Sequence, residues 1–188
     1  MGQFPTKLKT AKVIPVFKKD SPLDCSNYRP ISLLSNIDKK IEKLMYSRII
    51  QFLEKSHCIY PLQFGFRKHH STNDTLINLT EHIRSALDKG NFACGIFVDL
   101  QKAFDTVDHV ILLKKLEHYG IRGIGNSWFK SYLTNRSQFV SISGFDSRLK
   151  PILHGVPQGS VLGPLLFLLY INDFHHAIKY CMVHLIIH

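Results

Sequence analysis

The residues best placed to do chemistry in this chain lie between Phe97 and Asp108, in the run FVDLQKAFDTVD. An apolar, β-prone stretch, Gly95-Ile96-Phe97-Val98, leads into an acid, Asp99. Phe104 follows five residues later, and a second acid, Asp105, comes directly after it. A carboxylate at the end of a buried strand is costly unless a cation or hydrogen-bond donors compensate it. Where phosphate is the substrate, a hard divalent cation held by carboxylate and backbone oxygens is the usual compensation. Asp99 would supply the carboxylate and the Leu100 carbonyl a further oxygen. The plainer alternative is a strand-end acid that faces water.

A second block, HGVPQGSVLGPLLFLLYIND, runs from His154 to Asp173 and reads as a glycine-bracketed turn opening an apolar helix. Gly159 permits close approach of the backbone to a nucleotide or base pair. Gln158 offers both a donor and an acceptor, and the free amides at a helix start favour a phosphate nearby. A glycine turn that merely opens a core helix fits the same residues.

The elements around these blocks follow from pattern. Ala11 to Phe17 reads as a short strand interrupted by Pro15, hence an edge strand. Ser35 to Ser56 has helical periodicity, with Ser35 and Asp38 at capping-box spacing. Thr72 to Asp88 is a second amphipathic helix, with Leu76, Leu79, Ile83 and Leu87 on one stripe and Gly90 as its stop. Asn91 to Leu100 reads as the strand carrying Asp99. Asp105 is the expected cap of the next helix, with Asp108 in its first turn and the end at Gly120. A shorter helix spans Asn126 to Leu133, two strands cover Gln138 to Ser143 and Arg148 to Leu153, and a buried helix runs from Val161 to Ile178. Met182 to Ile187 is β-prone. Helices and antiparallel strands mix without a βαβα rhythm, so the fold class is α+β.

Composition narrows the function classes. The chain has 188 residues, 45% of them hydrophobic, which argues for a packed core over disorder. A formal charge of +10 points to a polyanionic partner, nucleic acid or an acidic membrane surface. Lys7, Lys9, Lys12, Lys18 and Lys19 concentrate part of it near the N-terminus. The four cysteines form no C-x-x-C pair, so neither a zinc knuckle nor a disulfide framework is indicated, and reduced intracellular thiols are expected. The apolar run Val161 to Ile171 is too short to span a bilayer and contains Gly163 and Pro164, so no membrane partner is expected. Residues 1–6 formally fit a myristoylation pattern. His69-His70 and His175-His176 are adjacent pairs, which rarely face one site on a regular element, and they read as surface residues.

FVDLQKAFDTVDH resembles motif A of the reverse transcriptases of non-LTR retrotransposons, the jockey-like LINE branch. NYRPISLLS (Asn27 to Ser35), QFGFRKHHST (Gln63 to Thr72), GVPQGSVLGPLLF (Gly155 to Phe167, motif B) and LYIND (Leu169 to Asp173) resemble blocks of the same family in the same order. The resemblance implies a partial right-hand polymerase. Its fingers would occupy residues 1–70, its palm with motif A 71–118, a fingers return 119–156, and the palm with motif B 157–188. It implies that Asp99 is a catalytic ligand of Mg²⁺ and that Phe104 is the aromatic gate beneath the incoming sugar, a core aromatic being the alternative. Asp105 resembles the family's second motif-A acid, although the capping role is preferred. Arg29 is similar to the fingers arginine that contacts the triphosphate, and Gln158 and Gly159 belong to the nucleotide site. Lys12, Lys18 and Lys19 would share the phosphate contacts or track template, and Arg67 would touch template or support the fingers.

The implied activity is Mg²⁺-dependent addition of deoxynucleoside triphosphates to a DNA primer on an RNA template, inside the cell, in nucleus or cytoplasm. In the family, LYIND is followed by a turn with two adjacent acids, and no acid follows Asp173 here. The expectation is a chain truncated before that motif, with negligible nucleotide transfer of its own because one carboxylate does not hold two metals. The alternative is a non-catalytic nucleic-acid-binding remnant of a retroelement.

Overall fold

A computed structural model describes residues 2–67 and 70–177. Among the described residues, five strands form one sheet: β1 (Thr10–Phe17), β2 (Tyr28–Leu33), β3 (Arg136–Ile142), β4 (Phe145–Asp146) and β5 (Lys150–Ile152). β1 pairs antiparallel with β2, from Lys12 opposite Leu33 to Phe17 opposite Tyr28. On its other side it pairs parallel with β3, from Thr10 opposite Ser137 to Val13 opposite Val140. The expected purely antiparallel sheet is therefore mixed, although β4 and β5 both run antiparallel to β3. β1 is not an edge strand, since it lies between β2 and β3. Pro15 is tolerated because the pairing with β3 ends at Val13, so the missing N–H removes no bond on that side.

Among the described residues there are five α-helices: α1 (Asn36–Lys55), α2 (Thr72–Asp88), α3 (His109–His118), α4 (Ile124–Leu133) and α5 (Gly163–Ile171). Ser35 caps α1 by accepting from the Asp38 amide at 3.1 Å. Only half of a capping box forms there, because the Asp38 side chain turns into the interior. The complete box is at α2, where Ser71 and Asp74 exchange both bonds. Asp108, not Asp105, caps α3, accepting from the amides of Val110 and Ile111 at 2.8 and 2.9 Å. α5 ends at Ile171, short of the expected Ile178, and a 3₁₀ turn over Phe174–Ala177 follows. The β-prone run Met182 to Ile187, like His69, lies outside the described residues.

The core gathers α1 (Ile49, Leu53), α3 (Leu112, Leu116), α4 (Phe129, Leu133) and the whole inner length of α5. Leu165 to Leu169 are all buried, so α5 is covered on every side, as its continuous apolar run requires. By contrast, Asn91 to Leu100 forms no strand, and every residue in it is exposed. β-prone residues make a strand only when a neighbour takes up the backbone N–H and C=O groups, and none of the described strands pairs with this run. Its apolar side chains, Phe92, Ile96 and Phe97 among them, face solvent. The Leu76, Ile83 and Leu87 stripe of α2 is likewise exposed.

Beneath the sheet lies a buried polar cluster. Glu42 of α1 is fully buried. One of its oxygens accepts from the Tyr132 hydroxyl of α4 and the other from the Val161 amide ahead of α5, each at 2.6 Å. Burial, with the Glu42 carboxylate beside it, holds the Tyr132 hydroxyl well above its usual pKa. Arg136, also buried, donates to the Tyr132 carbonyl at 3.2 Å and lies 4.9 Å from the Tyr132 ring centroid. Its other edge approaches Asp38 at 3.9 Å, a coulombic contact too long for a hydrogen bond. Burial and the nearby Glu42 push the Asp38 carboxyl up to about 6, against the opposing pull of Arg136.

Two outcomes follow from this cluster. Glu42→Ala leaves a buried hydroxyl and a buried amide without partners, and it should lower the unfolding free energy in urea by about 3 kcal/mol. Glu42→Gln should lower it by less, since its carboxamide can accept from Val161 and donate to Tyr132. For Asp38 the raised folded pKa means that the native state binds the proton more tightly than the unfolded chain. The group's contribution is therefore fully present below 3.8, its unperturbed value, and is lost as pH rises through about 6. Asp38→Asn should gain stability relative to native across that window, by at most about 3 kcal/mol. Paired urea titrations at either end of it measure the difference.

Candidate nucleotide-binding site

The turn from Gly155 to Gly163 is fixed by short-range chemistry before any ligand is considered. Ser160 Oγ donates to the Pro157 carbonyl at 2.8 Å and accepts from the Gly163 amide at 2.9 Å, closing the turn and starting α5. Gly155 (φ +84°) packs so closely that a Cβ would sit 2.8 Å from the Asp105 Cα and 2.9 Å from the Phe104 carbonyl. Its amide donates to the Val107 carbonyl, and that of Val156 to the Phe104 carbonyl, both at 2.8 Å. The Gly155 carbonyl in turn accepts from His109 Nε2 at 2.7 Å, so Nε2 carries the hydrogen. Farther along, the Ser32 amide of β2 donates to the Gln158 carbonyl at 2.8 Å. Gly159 (φ +98°) leaves only 2.9 Å between its absent Cβ and the Ser32 carbonyl. Both glycines are thus required by conformation and by contact.

Three sequence blocks far apart in the chain meet here: Asn27 to Ser35, Phe97 to His109 and Gly155 to Phe167. Between them opens a cavity of about 170 Å³ lined by Pro30, Ser32, Asp105, Gln138, His154 and Gln158, with neighbouring backbone. The Gln158 side-chain amide donates to both Asp105 carboxylate oxygens, at 3.2 Å each. Asp105 thus serves the turn and not the cap of α3. Phe104 is half-buried, its ring centroid 5.2 Å from that of Phe167 in the core and 6.2 Å from that of Phe66. It borders the core and retains an exposed side.

Other residues singled out in the sequence stand apart from this cavity. Asp99 and Leu100 lie in the exposed run 91–100, and no group of three His, Cys, Asp or Glu able to hold a metal forms among the described residues. Strand alternation puts Pro30 and Ser32 on the cavity face of β2 and Arg29 on the other face. Lys12, opposite Leu33, shares the face of Arg29, and both are exposed. Lys18 and Lys19 are exposed just beyond β1. Arg67 donates to the carbonyls of Tyr60 and Gln63 at 3.3 and 3.1 Å, so it braces its own loop. His175 stacks on Tyr60, ring centroids 3.9 Å apart.

Sequence reasoning missed several residues that position the site. Glu42 reads as one more charge on an amphipathic helix; its place four residues after Asp38 is the available signal. His109 reads as a surface histidine. Asn172 of LYIND is buried, donating to the Cys58 carbonyl and accepting from the Tyr60 amide, both at 2.8 Å. Asp173 pairs with Lys115 at 2.5 Å.

The glycine geometry predicts unequal costs for the same substitution. Gly155→Ala combines a left-handed φ with a backbone clash and should lower unfolding free energy by roughly 2 kcal/mol or more. Gly144 (φ +87°) faces open space, so Gly144→Ala should cost only about 1 kcal/mol. Urea unfolding of the two variants side by side measures the difference.

Comparison with known proteins places the chain in a family. The family described as "Reverse transcriptase (RNA-dependent DNA polymerase)" matches residues 16–187. The chain is 37% identical over 174 residues to the RNA-directed DNA polymerase from mobile element jockey of Drosophila melanogaster, covering 92% of this chain and 19% of that protein. It is 36% identical over 177 residues to the probable RNA-directed DNA polymerase from transposon BS of the same species, covering 90% of this chain and 19% of that protein. A protein of the type-1 retrotransposable element R1DM, again from Drosophila melanogaster, is 30% identical over 171 residues, covering 89% of this chain and 16% of its own length. The chain therefore spans about a fifth of the length of such relatives. With the matching region containing all three of the blocks that meet at the cavity, this chain belongs to the reverse transcriptase (RNA-dependent DNA polymerase) family.

Proposed function

We propose that this chain is the fingers and part of the palm of a retrotransposon RNA-directed DNA polymerase, binding an RNA template, a DNA primer and a deoxynucleoside triphosphate. Residues 1–70 and 119–156 form the fingers, 71–118 the palm with Asp99, and 157–188 the palm with the Gly159 turn. The observation that carries this reading is the docking of the Gly155–Gly159 turn on the Phe104 and Asp105 backbone and on β2. The cavity there combines apolar lining from Pro30, Ile152, Val156 and Pro157 with polar groups at Gln158, Gln138 and His154. These suit a sugar and base, and Phe104, whose carbonyl accepts from the Val156 amide, would restrict the room beneath the sugar. Arg29 and Lys12, exposed on one face of the sheet, with Lys18 and Lys19 beyond β1, suit phosphates of template and primer.

In this family a divalent ion, Mg²⁺ in our reading, supplies charge neutralisation for the reacting phosphate when bound. The described residues do not assemble a site that fits it. Among the described residues no group of three His, Cys, Asp or Glu gathers at Asp99, and the Asp105 carboxylate is engaged by Gln158. Asp99 and the Leu100 carbonyl are the groups this chain would contribute. The second reading is a nucleic-acid-binding element without transfer activity of its own. No helix among the described residues is long and apolar enough to cross a membrane.

Fluorescence anisotropy with a labelled RNA–DNA hybrid tests both readings. For about three phosphate contacts, affinity should fall roughly 40-fold between 50 and 200 mM salt. Arg29→Ala or Lys12→Ala should flatten that slope by about one contact each. Binding insensitive to salt would remove the nucleic-acid reading altogether. Primer extension on the RNA template, beside an Asp99→Asn control, separates the two readings: extension that the control abolishes supports the polymerase, and binding without extension supports the non-catalytic element.

A further inference from the structure

We propose that Asp105 is a positioning residue that fixes the polarity of the Gln158 carboxamide, so that Gln158 meets the nucleotide only as a hydrogen-bond acceptor. The inference rests on the reading of the cavity as a nucleotide site. A free glutamine presents either end of its amide, and the two ends differ only by rotation about one bond. A carboxylate accepts and does not donate, so the Nε2 end turns toward Asp105. The reverse orientation would bring the amide oxygen against two carboxylate oxygens. The contact is symmetric, 3.2 Å from Nε2 to each oxygen.

Both partners start from fixed backbones, which keeps the ordering cost low. The Asp105 amide donates to the Lys102 carbonyl at 2.8 Å, and Gly155 presses on the Asp105 Cα and carbonyl from the other side. The Gln158 carbonyl is held by the Ser32 amide. Asp105 is free for this task because Asp108 caps α3. With Nε2 engaged, Oε1 is the end available to a ligand, and it takes no donor from the described residues. Asp105 and Gln158 both line the cavity.

Two consequences for recognition follow. An acceptor at Gln158 selects a ligand group that donates, a hydroxyl or an N–H of the nucleoside. The adjacent carboxylate repels phosphate oxygens, so the nucleoside end, and not the triphosphate, lies against this pair.

The test uses the full chain, labelled with ¹⁵N, with Gln158→Ala to assign the Gln158 side-chain amide signals. In the native chain these two protons should be separately resolved and slow to exchange. Asp105→Ala should merge them with the mobile glutamines. Asp105→Asn, whose carboxamide donates as well as accepts and so no longer dictates one orientation of Gln158, should leave them less resolved than in the native chain. Affinity for a deoxynucleoside triphosphate, measured by calorimetry in the presence of the hybrid, should fall about 2- to 10-fold in Asp105→Ala, the scale of one hydrogen bond. In Asp105→Asn it should fall by less, since one of the two carboxamide orientations still holds Nε2. Asp105→Ala should add nothing when Gln158 is already alanine. Identical Gln158 signals in native and Asp105→Ala protein would overturn the proposal. Native protein with the resolved signals but no affinity for the nucleotide would uphold the Asp105–Gln158 coupling and remove the nucleotide-site reading beneath it.

Discussion

The structure depends on one buried carboxylate. Glu42 joins α1 to α4 through the Tyr132 hydroxyl and to the head of α5 through the Val161 amide. A charged group in this setting is tolerable only when both its oxygens are satisfied, which fixes the three elements relative to one another. Arg136 extends the arrangement to β3, with its guanidinium between the Tyr132 carbonyl and Asp38. Apolar packing alone would hold α5 among its neighbours but would leave it free to slide along its axis. The bond to Val161 sets the depth at which the helix begins, and therefore where the turn ahead of it lies.

That turn works because it has almost no side-chain bulk facing the chain it crosses. Gly155 lies on the Phe104 and Asp105 backbone, Gly159 on the Ser32 carbonyl, and Ser160 closes the loop with its own hydroxyl. Each contact is made to backbone, so the turn's position is insensitive to the side chains it passes over. The side chains that remain, Gln158 above all, are held at a defined distance from the Phe97 to His109 block. Backbone-to-backbone docking thus holds the two blocks in a fixed relation to each other.

Around this rigid centre the structure leaves apolar surface uncovered. The run 91–100 and the outer stripe of α2 expose large apolar side chains. Asp99 belongs to this uncovered part, whereas Asp105 belongs to the rigid part, although only six residues separate them. The motif-A block is thus divided into a docked half, from Phe104 onward, and an exposed half.

The sequence by itself determined the local elements and the identity of the blocks. Ser35 and Gly120 marked a helix start and a helix end because capping and left-handed geometry depend on neighbours in the chain. The motif residues were legible because their spacing is a local property. Tertiary structure alone decided whether the run ahead of Asp99 forms a strand, since β-prone residues need a partner to pair with, and composition does not reveal one. It also decided which acid caps α3: the sequence pattern pointed to Asp105, but Asp105 is engaged by Gln158, 53 residues away, and Asp108 caps the helix. Nothing local distinguishes Glu42 from the solvated charges of α1, because its role is set by a hydroxyl and an amide 90 and 119 residues farther along the chain.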